Sequence, residues 1–552
     1  MAAMDGPDVV LPSLETVKSV LAGVAETAKA EAAKGPASTW KRPNLVPVYG
    51  QISSDLITPS AAYLKVSAHA QSPYSFLFES AATERVGRYS FVAAGPRKVL
   101  ETGPGFGEAC DPLPALEAEL ARSVVAHVPS VELPPLAGGA VGYVSYDCVR
   151  YFEPKTAREM KDVLKIPESQ FCFYDTIVAF DRFFGIIKVI TYLHVDAAAT
   201  ADGHYDAEAV AAEYRRATGV ISTLIDVLNA PLTPLPPQPP VTSLGAAYTS
   251  NIGQDGYKQH VATLKRHIVQ GDIIQAVPSQ RFARPTDLHP FNVYRHLRTV
   301  NPSPYLFYVD CGGRFQIVGA SPELLVKAEA GRIVTHPIAG TVKRGRNAAE
   351  DAALAESLRQ SLKDRAEHVM LCDLARNDVT RVCDPRETRV DRLMVVEKFS
   401  HVQHLVSQVS SVLRPGCTRF DAFRSIFPAG TVSGAPKVRA MELIAELEQE
   451  KRGVYAGAVG YFGYGGVGAD GVQPVDGGMD TCIALRTMVV VDGVAYLQAG
   501  GGIVFDSDEQ DEWQETMNKL QANMHCITSA EQLYVRRQQQ QQRQPENKAG
   551  ER

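Results

Sequence analysis

The chain has 552 residues, 45% of them hydrophobic, and a formal net charge of −6. That is enough apolar material for more than one domain, and the acidic balance gives no basic field for nucleic acid. No run of about 18 apolar residues suggests a membrane span. Nine scattered cysteines without a CxxC pair suit a reducing compartment and argue against structural zinc. Asp5, Asp8 and Glu15, with no Arg-rich pattern, do not read as a transit peptide, so the expected setting is the cytoplasm.

Residues 1–45 form an N-terminal extension with one amphipathic helix, Leu14 to Ala33. Apolar Leu45 to Tyr49 then reads as a strand, and Ser60 to Lys65 as helix. Ser75 to Ser80 and Gly87 to Val92 are strand patterns joined by a polar turn at Thr83-Glu84-Arg85. Leu136 to Asp147 is a Gly-punctuated strand, where small residues imply close packing. Phe171 to Phe180 and Gly185 to Ile190 read as a strand pair around Asp181-Arg182, and 205–229 as helix. Six prolines between Pro231 and Pro240 make a stiff linker, placing a boundary at 231–250. Beyond it, Tyr257, Val261, Leu264 and Ile268 recur at helical spacing in Gln254 to Gln270, which Gly271 stops. Tyr305 to Val309 and Arg314 to Gly319 suggest an antiparallel pair. No βαβα rhythm appears, so the expected fold class is α+β, with large antiparallel sheets rather than a doubly wound fold. After Tyr534 a Gln-rich run, 535–552, reads as a disordered tail.

Several stretches carry chemistry. Pro337-Ile338-Ala339-Gly340-Thr341 follows a β-branched run, and its glycine permits close backbone approach. Helical spacing in 364–378 aligns Glu367 with Leu371 and Leu374, a costly place for a carboxylate unless it is paired or binds a cation. In the helix Glu509 to Ile527, Glu515 lies opposite the core stripe and reads locally as an exposed partner of Lys519. Two such carboxylates could hold Mg²⁺, which needs few protein ligands. Phe427 to Lys437 leads from a Gly/Ser/Thr loop into a helix start, an anion cradle or an ordinary cap. Gly500-Gly501-Gly502 is a turn or a nest of backbone donors. Arg486, on an apolar strand, needs a counterion, either a bound carboxylate or a structural partner. His404 reads more readily as a core histidine than as a catalyst.

Together the stretches PIAGTVKRG, AEHVMLCDLARND, HLVSQV, FPAGTVSGAPKVRAM, DTCIALRT and QAGGGIV resemble the component I (alpha) subunits of anthranilate synthase, among the chorismate-utilising enzymes. The resemblance runs from about Val46 to Tyr534. It implies large antiparallel sheets packed as a β-sandwich with flanking helices. It also implies a tryptophan-binding regulatory region over 46–230 and a chorismate-binding catalytic domain over 251–534. Chorismate would contact Gly340, Thr341, Tyr455, Arg486 and Gly500 to Gly502. Mg²⁺ would lie between Glu367 and Glu515, overriding the local reading of Glu515. Glu323 would be the general acid toward the departing ring hydroxyl, and His404 would lie near the enolpyruvyl group. Ammonia addition would give aminodeoxyisochorismate, and pyruvate elimination would then give anthranilate.

Two departures from relatives bear on the product. Aminodeoxychorismate synthases carry a nucleophilic Lys where this chain has Ala339, and isochorismate and salicylate synthases carry a basic Lys where it has Gln275. Both favour anthranilate over the alternatives, aminodeoxychorismate or a catalytically dead tryptophan-binding protein. The chain has no Gly-x-Cys-x-Gly elbow, so ammonia from glutamine would come from a separate amidotransferase subunit. Glu79 and Ser80, with Pro304, Tyr305 and Leu306, match a tryptophan feedback pocket, although Phe76-Leu77-Phe78 stands where relatives often show a Leu-rich strand. The Gly-rich stretch Gly463 to Gly478 reads as a surface insertion.

Overall fold

A strand buried on both faces reads as a continuous apolar run, and one alternating between core and solvent does not. Phe76 and Leu77 illustrate the first case. Phe76 faces a core shared with Tyr143, Val459 and Tyr461, while Leu77 faces a core shared with Tyr294, Leu297 and Ile527. The structure, a computed structural model, describes residues 10–34, 40–80, 87–129, 131–200, 203–399 and 402–548, with backbone alone after 540. The expected turn at Thr83 to Arg85 lies outside the described residues. Among them, strands form one sheet of 14 and another of 10, almost wholly antiparallel. One core fills the space between the sheets. Helices such as Pro290–Val300 and Ala207–Asn229 cover the outer face of the larger sheet, and Arg419–Ile426 and Lys437–Glu448 that of the smaller. The expected α+β sandwich with flanking helices is the observed fold class.

The Pro-rich stretch does not divide the sheets. Tyr74–Glu79 pairs with Tyr305–Cys311 in the larger sheet, and Gly139–Val144 pairs with Ala458–Gly463 in the smaller. Each half of the chain covers edges that the other would leave open. The boundary at 231–250 is therefore a surface connection rather than a break between independent units. Gln238 fastens it, donating to the Asp287 carbonyl and accepting from the His289 N–H.

Two apolar runs that read as single strands are each two strands, because the chain changes sheets within them. Phe171 to Phe180 is two strands, Ser169–Tyr174 in the smaller sheet and Ile177–Asp181 in the larger. The apolar run that carries Arg486 is likewise two strands, Met479–Ile483 and Thr487–Val491. The strand Ala458–Gly463 begins after Tyr455, which sits in the loop before it. The Gly-rich insertion supplies Gly465–Val467, which pairs in parallel with Val124–Val125 and extends the edge of the larger sheet. The helix Glu509–Lys548 runs through the stretch expected to be a disordered tail. Glutamine and arginine are good helix formers, and a helix already nucleated extends at low cost.

Phe307 is 2% exposed in the core between the sheets. Phe307→Ala is expected to lower stability by about 3–5 kcal/mol, read as a shift of the urea midpoint.

Candidate functional site

The stretch around Gly340 is a β-bulge. The strand Ile338–Lys343 pairs with Val402–Val412, and its register shifts between Ala339 and Thr341. Gly340 takes φ +73°, the glycine conformation of such bulges. The bulge sets Thr341 opposite His404. His404 Nδ1 lies 3.1 Å from the Gly340 carbonyl and 3.0 Å from Thr341 Oγ1. A carbonyl only accepts, so that contact calls for the proton on Nδ1 and leaves the Nε2 lone pair free. Nε2 is buried with no protein partner. Burial, with Arg486 and Lys519 nearby, lowers the His404 pKa to about 4, so the ring is neutral at pH 7.

Glu323 and Arg486 sit where two paired strands pass from one sheet to the other. Glu323 lies between Phe315–Ser321 and Leu324–Glu329, and Arg486 between Met479–Ile483 and Thr487–Val491. Arg486 is thus in a crossing rather than within a strand, at φ +48°, an uncommon conformation for a residue with a side chain. Among the described residues no carboxylate lies within ion-pair distance of its guanidinium. Glu323 is 5% exposed, and burial raises its pKa to about 8 against the opposing effects of Thr431, the Ile338 N–H and Arg486. It is a carboxylic acid at neutral pH.

The three glycines mark the opposite wall. None has a positive φ, so their need is for space. A Cβ on Gly500 would lie 2.4 Å from the Pro278 carbonyl, one on Gly501 3.0 Å from Glu512, and one on Gly502 2.2 Å from Gln275. The nest reading needs correction at Gly501, whose N–H donates to the Tyr257 hydroxyl at 3.1 Å. Tyr455, in the loop before its strand, has the Gly500 N–H against its hydroxyl.

Carboxylates gather beyond the glycines. Gln275 donates to Glu367 at 3.0 Å. Burial raises the Glu367 pKa, and the Glu515 charge adds to the rise. Glu515 pairs with Lys519 at 2.7 Å, and Lys519 also donates to the Gly500 carbonyl at 2.9 Å. The local reading of Glu515 as a partner of Lys519 and its convergence with Glu367 therefore hold together. Sequence reasoning missed Glu512. It lies three residues before Glu515 on the same helix, a spacing that shares a face. Its Oε1 accepts from Ser507 at 2.6 Å, and its Oε2 is buried without a partner. Tyr257 was legible only as core, since its helical stripe hides the hydroxyl. The cradle expected at Lys437 does not form, because its ammonium is engaged by Asp378 and the Ile426 carbonyl.

The residues matched to a tryptophan pocket divide between the two faces of the larger sheet. Glu79 is buried and accepts from Tyr294 at 2.6 Å and Arg298 at 3.0 Å, so its carboxylate already has partners. Tyr305 points into the core between the sheets, and its hydroxyl donates to Asp480 at 3.0 Å. Ser80 gives its carbonyl to Arg182, and Leu306 stands opposite Glu79. Pro304 is half-buried beside Tyr305.

Residues 74–525 match the model of the family described as chorismate binding enzyme. The chain belongs to that family. It is 59% identical to anthranilate synthase component 1 of Saccharomyces cerevisiae over 499 residues, 89% of this chain and 94% of the relative. Identity to anthranilate synthase component 1 of Streptomyces coelicolor is 42%, covering 88% and 90% of the two chains. Among solved structures, anthranilate synthase component I of Streptococcus pneumoniae TIGR4 superposes with TM-score 0.67 at 34% identity, over 86% of this chain and 99% of the other. The menaquinone-specific isochorismate synthase of Escherichia coli shares the fold at TM-score 0.64 and 17% identity, over 92% and 100% of the two chains. No helix among the described residues is long and apolar enough to cross a membrane.

His404 is expected to stay neutral down to about pH 4. Its imidazole ¹⁵N shifts, assigned by comparison with His404→Gln, should not move between pH 8 and pH 5.5, whereas an exposed histidine titrates near about 6.5.

Proposed function

We propose that the chain is the chorismate-converting subunit of an anthranilate synthase, forming anthranilate and pyruvate from chorismate and ammonia. The observation that carries this reading is the buried Glu323, which burial favours in its protonated form, near a partly buried Arg486 that no carboxylate among the described residues pairs. The pair offers a proton for a leaving group and a fixed cation for a carboxylate, in a site sheltered from water. The names of the relatives agree with it. Ala339 and Gln275 bring no side-chain amine to the site, which leaves ammonia as the nucleophile.

Arg486 and Tyr455 would bind and orient the substrate's carboxylates, with Gly340, Thr341 and Gly500 to Gly502 allowing the backbone to approach. As ammonia adds to the ring, Glu323 would protonate the departing hydroxyl, which leaves as water. His404, neutral and held by Thr341 and the Gly340 carbonyl, would present Nε2 to the enolpyruvyl side. Loss of the ring proton and pyruvate then yields the aromatic product. Ammonia would be drawn from glutamine by a separate amidotransferase subunit.

The residues present fit Mg²⁺. Among the described residues no three carboxylates form a ready cation cage, but Glu367 beside Gly502 and Glu515 beside Gly501 are hard oxygen donors, Mg²⁺ needs few protein ligands, and the Glu512 oxygen without a partner suits one of its waters. Glu367 and Glu515 would hold it. When bound, Mg²⁺ would supply positive charge to a substrate carboxylate.

Tryptophan feedback belongs to the same reading. Tyr305, with Ser80 and Pro304 at the strand ends, would line the pocket on the face between the sheets, while Leu306 and Glu79 on the other face would fix its wall, Glu79 through Tyr294 and Arg298. Leu306 faces Ala320, whose N–H donates to the Arg486 carbonyl. A shift at the pocket would reach a substrate-binding residue through that rung.

Incubation with chorismate, ammonia and Mg²⁺ should release fluorescent anthranilate; an aminobenzoate precursor instead would point to the folate branch of the family. At constant free ammonia, kcat should fall above about pH 8 as Glu323 loses its proton. Glu323→Gln should remove both the activity and that limb. Glu515→Ala should lower activity at least about a hundredfold and weaken Mg²⁺ binding measured by calorimetry. Ser80→Ala should relieve tryptophan inhibition with turnover intact, and unchanged inhibition would exclude Ser80 from the pocket.

A further inference from the structure

One buried ion pair outside the cleft reaches several of the segments that form it. Glu448 ends the helix Lys437–Glu448, and Arg452 follows four residues later. Arg452 Nη2 donates to Glu448 Oε1 at 2.7 Å and Nε to Oε2 at 2.9 Å. The side chains are 1% and 6% exposed. The rest of the guanidinium fork reaches two other parts of the chain. Nη2 donates to the Val277 carbonyl at 2.7 Å and Nη1 to the Val432 carbonyl at 2.9 Å. Val277 is two residues from Gln275, and Val432 follows Thr431. The same cation lies 4.4 Å from the Tyr146 ring centroid and 5.7 Å from that of Tyr455.

Glu448 extends the network to the glycines. Its Oε1 accepts from the Ser279 N–H at 2.7 Å and the Ser279 hydroxyl at 2.9 Å. Ser279 stands opposite Gly500, and its hydroxyl also accepts from Gln498 at 2.8 Å. Asp147 completes the frame, accepting from the Arg452 and Gly453 N–H groups at 3.1 and 2.7 Å.

We propose that Arg452 and Glu448 are positioning residues for the chorismate site, setting Tyr455, the Gln275 strand, the Thr431 loop and Gly500 relative to one another without touching substrate. The inference rests on the functional reading above. A buried ion pair is weak evidence for stability, because apolar residues often serve as well. What an apolar pair cannot do is hold fixed hydrogen-bond directions to segments from three separate stretches. Arginine's planar fork does this, and the single ammonium of lysine does not. The segments so joined carry groups that bind the ground state, so the effect of loosening them falls on binding.

The full chain carrying Arg452→Lys, and separately Glu448→Gln, would be assayed with chorismate, ammonia and Mg²⁺ well below each variant's thermal midpoint. For Arg452→Lys, KM for chorismate should rise at least about tenfold with kcat within about threefold of the unmodified chain. Glu448→Gln, which keeps an oxygen for Ser279, should give a smaller rise in the same direction. A merely structural role lowers the folded fraction, so kcat falls and KM stays. That pattern in whichever variants fold, or no change in either constant, overturns the proposal. An unmodified chain that neither binds nor turns over chorismate would sink the functional reading instead.

Discussion

The site depends on a strand pair that leaves one sheet and enters the other without separating. Phe315–Ser321 and Thr487–Val491 pair in the larger sheet, and Leu324–Glu329 and Met479–Ile483 pair in the smaller. At the crossing the regular ladder stops, and its polar groups need other partners. Ser321 Oγ donates to the Ile483 carbonyl at 2.6 Å, the Ile483 N–H to the Glu323 carbonyl at 3.0 Å, and the Ala320 N–H to the Arg486 carbonyl at 3.3 Å. The crossing is thus held by hydrogen bonds of its own. It gives the interior two ionisable side chains of opposite sign that no continuous strand would place there.

Desolvation at the crossing and at the facing Gly340 bulge sets the protonation states. It raises Glu323 to about 8 and lowers His404 to about 4, so at neutral pH one is a neutral acid and the other a neutral imidazole. Arg486 remains the fixed cation, and its field lowers both pKa values, opposing the effect of burial at Glu323 and adding to it at His404. The carboxylates beyond Gly501 face the opposite imbalance. Glu367 and Glu512 are both raised by burial, with Glu515 adding to each, and Lys519 opposes the rise at both, with Lys363 also acting on Glu512. A cleft with spare positive charge at one end and spare negative charge at the other fits an anionic ligand carried together with a divalent cation.

Near the crossing the two halves of the chain share one sheet. The rung Glu79–Leu306–Ala320 runs from the first half of the sequence to the edge of the crossing. Arg298, from the helix packed on that sheet, anchors Glu79. The Pro-rich connection lies outside this path.

The sequence by itself determined the elements whose causes are local. The helix Leu14–Ala33, the Gly271 stop at φ +85° and the hairpin from Tyr305 follow from periodicity and turn chemistry. The glycine in the Gly340 bulge was legible as a point of close approach, though not as a bulge. The ordered motifs were specific enough to indicate the family. Only the tertiary structure decided where strands end, because a change of sheet leaves an apolar run unbroken in the sequence, as at Arg486. Tertiary contacts also decided which charges are free. Lys437 and Arg486 look alike on paper, yet Asp378 neutralises the first and no carboxylate among the described residues meets the second. Burial and long-range partners set those outcomes, and neither is encoded in local spacing.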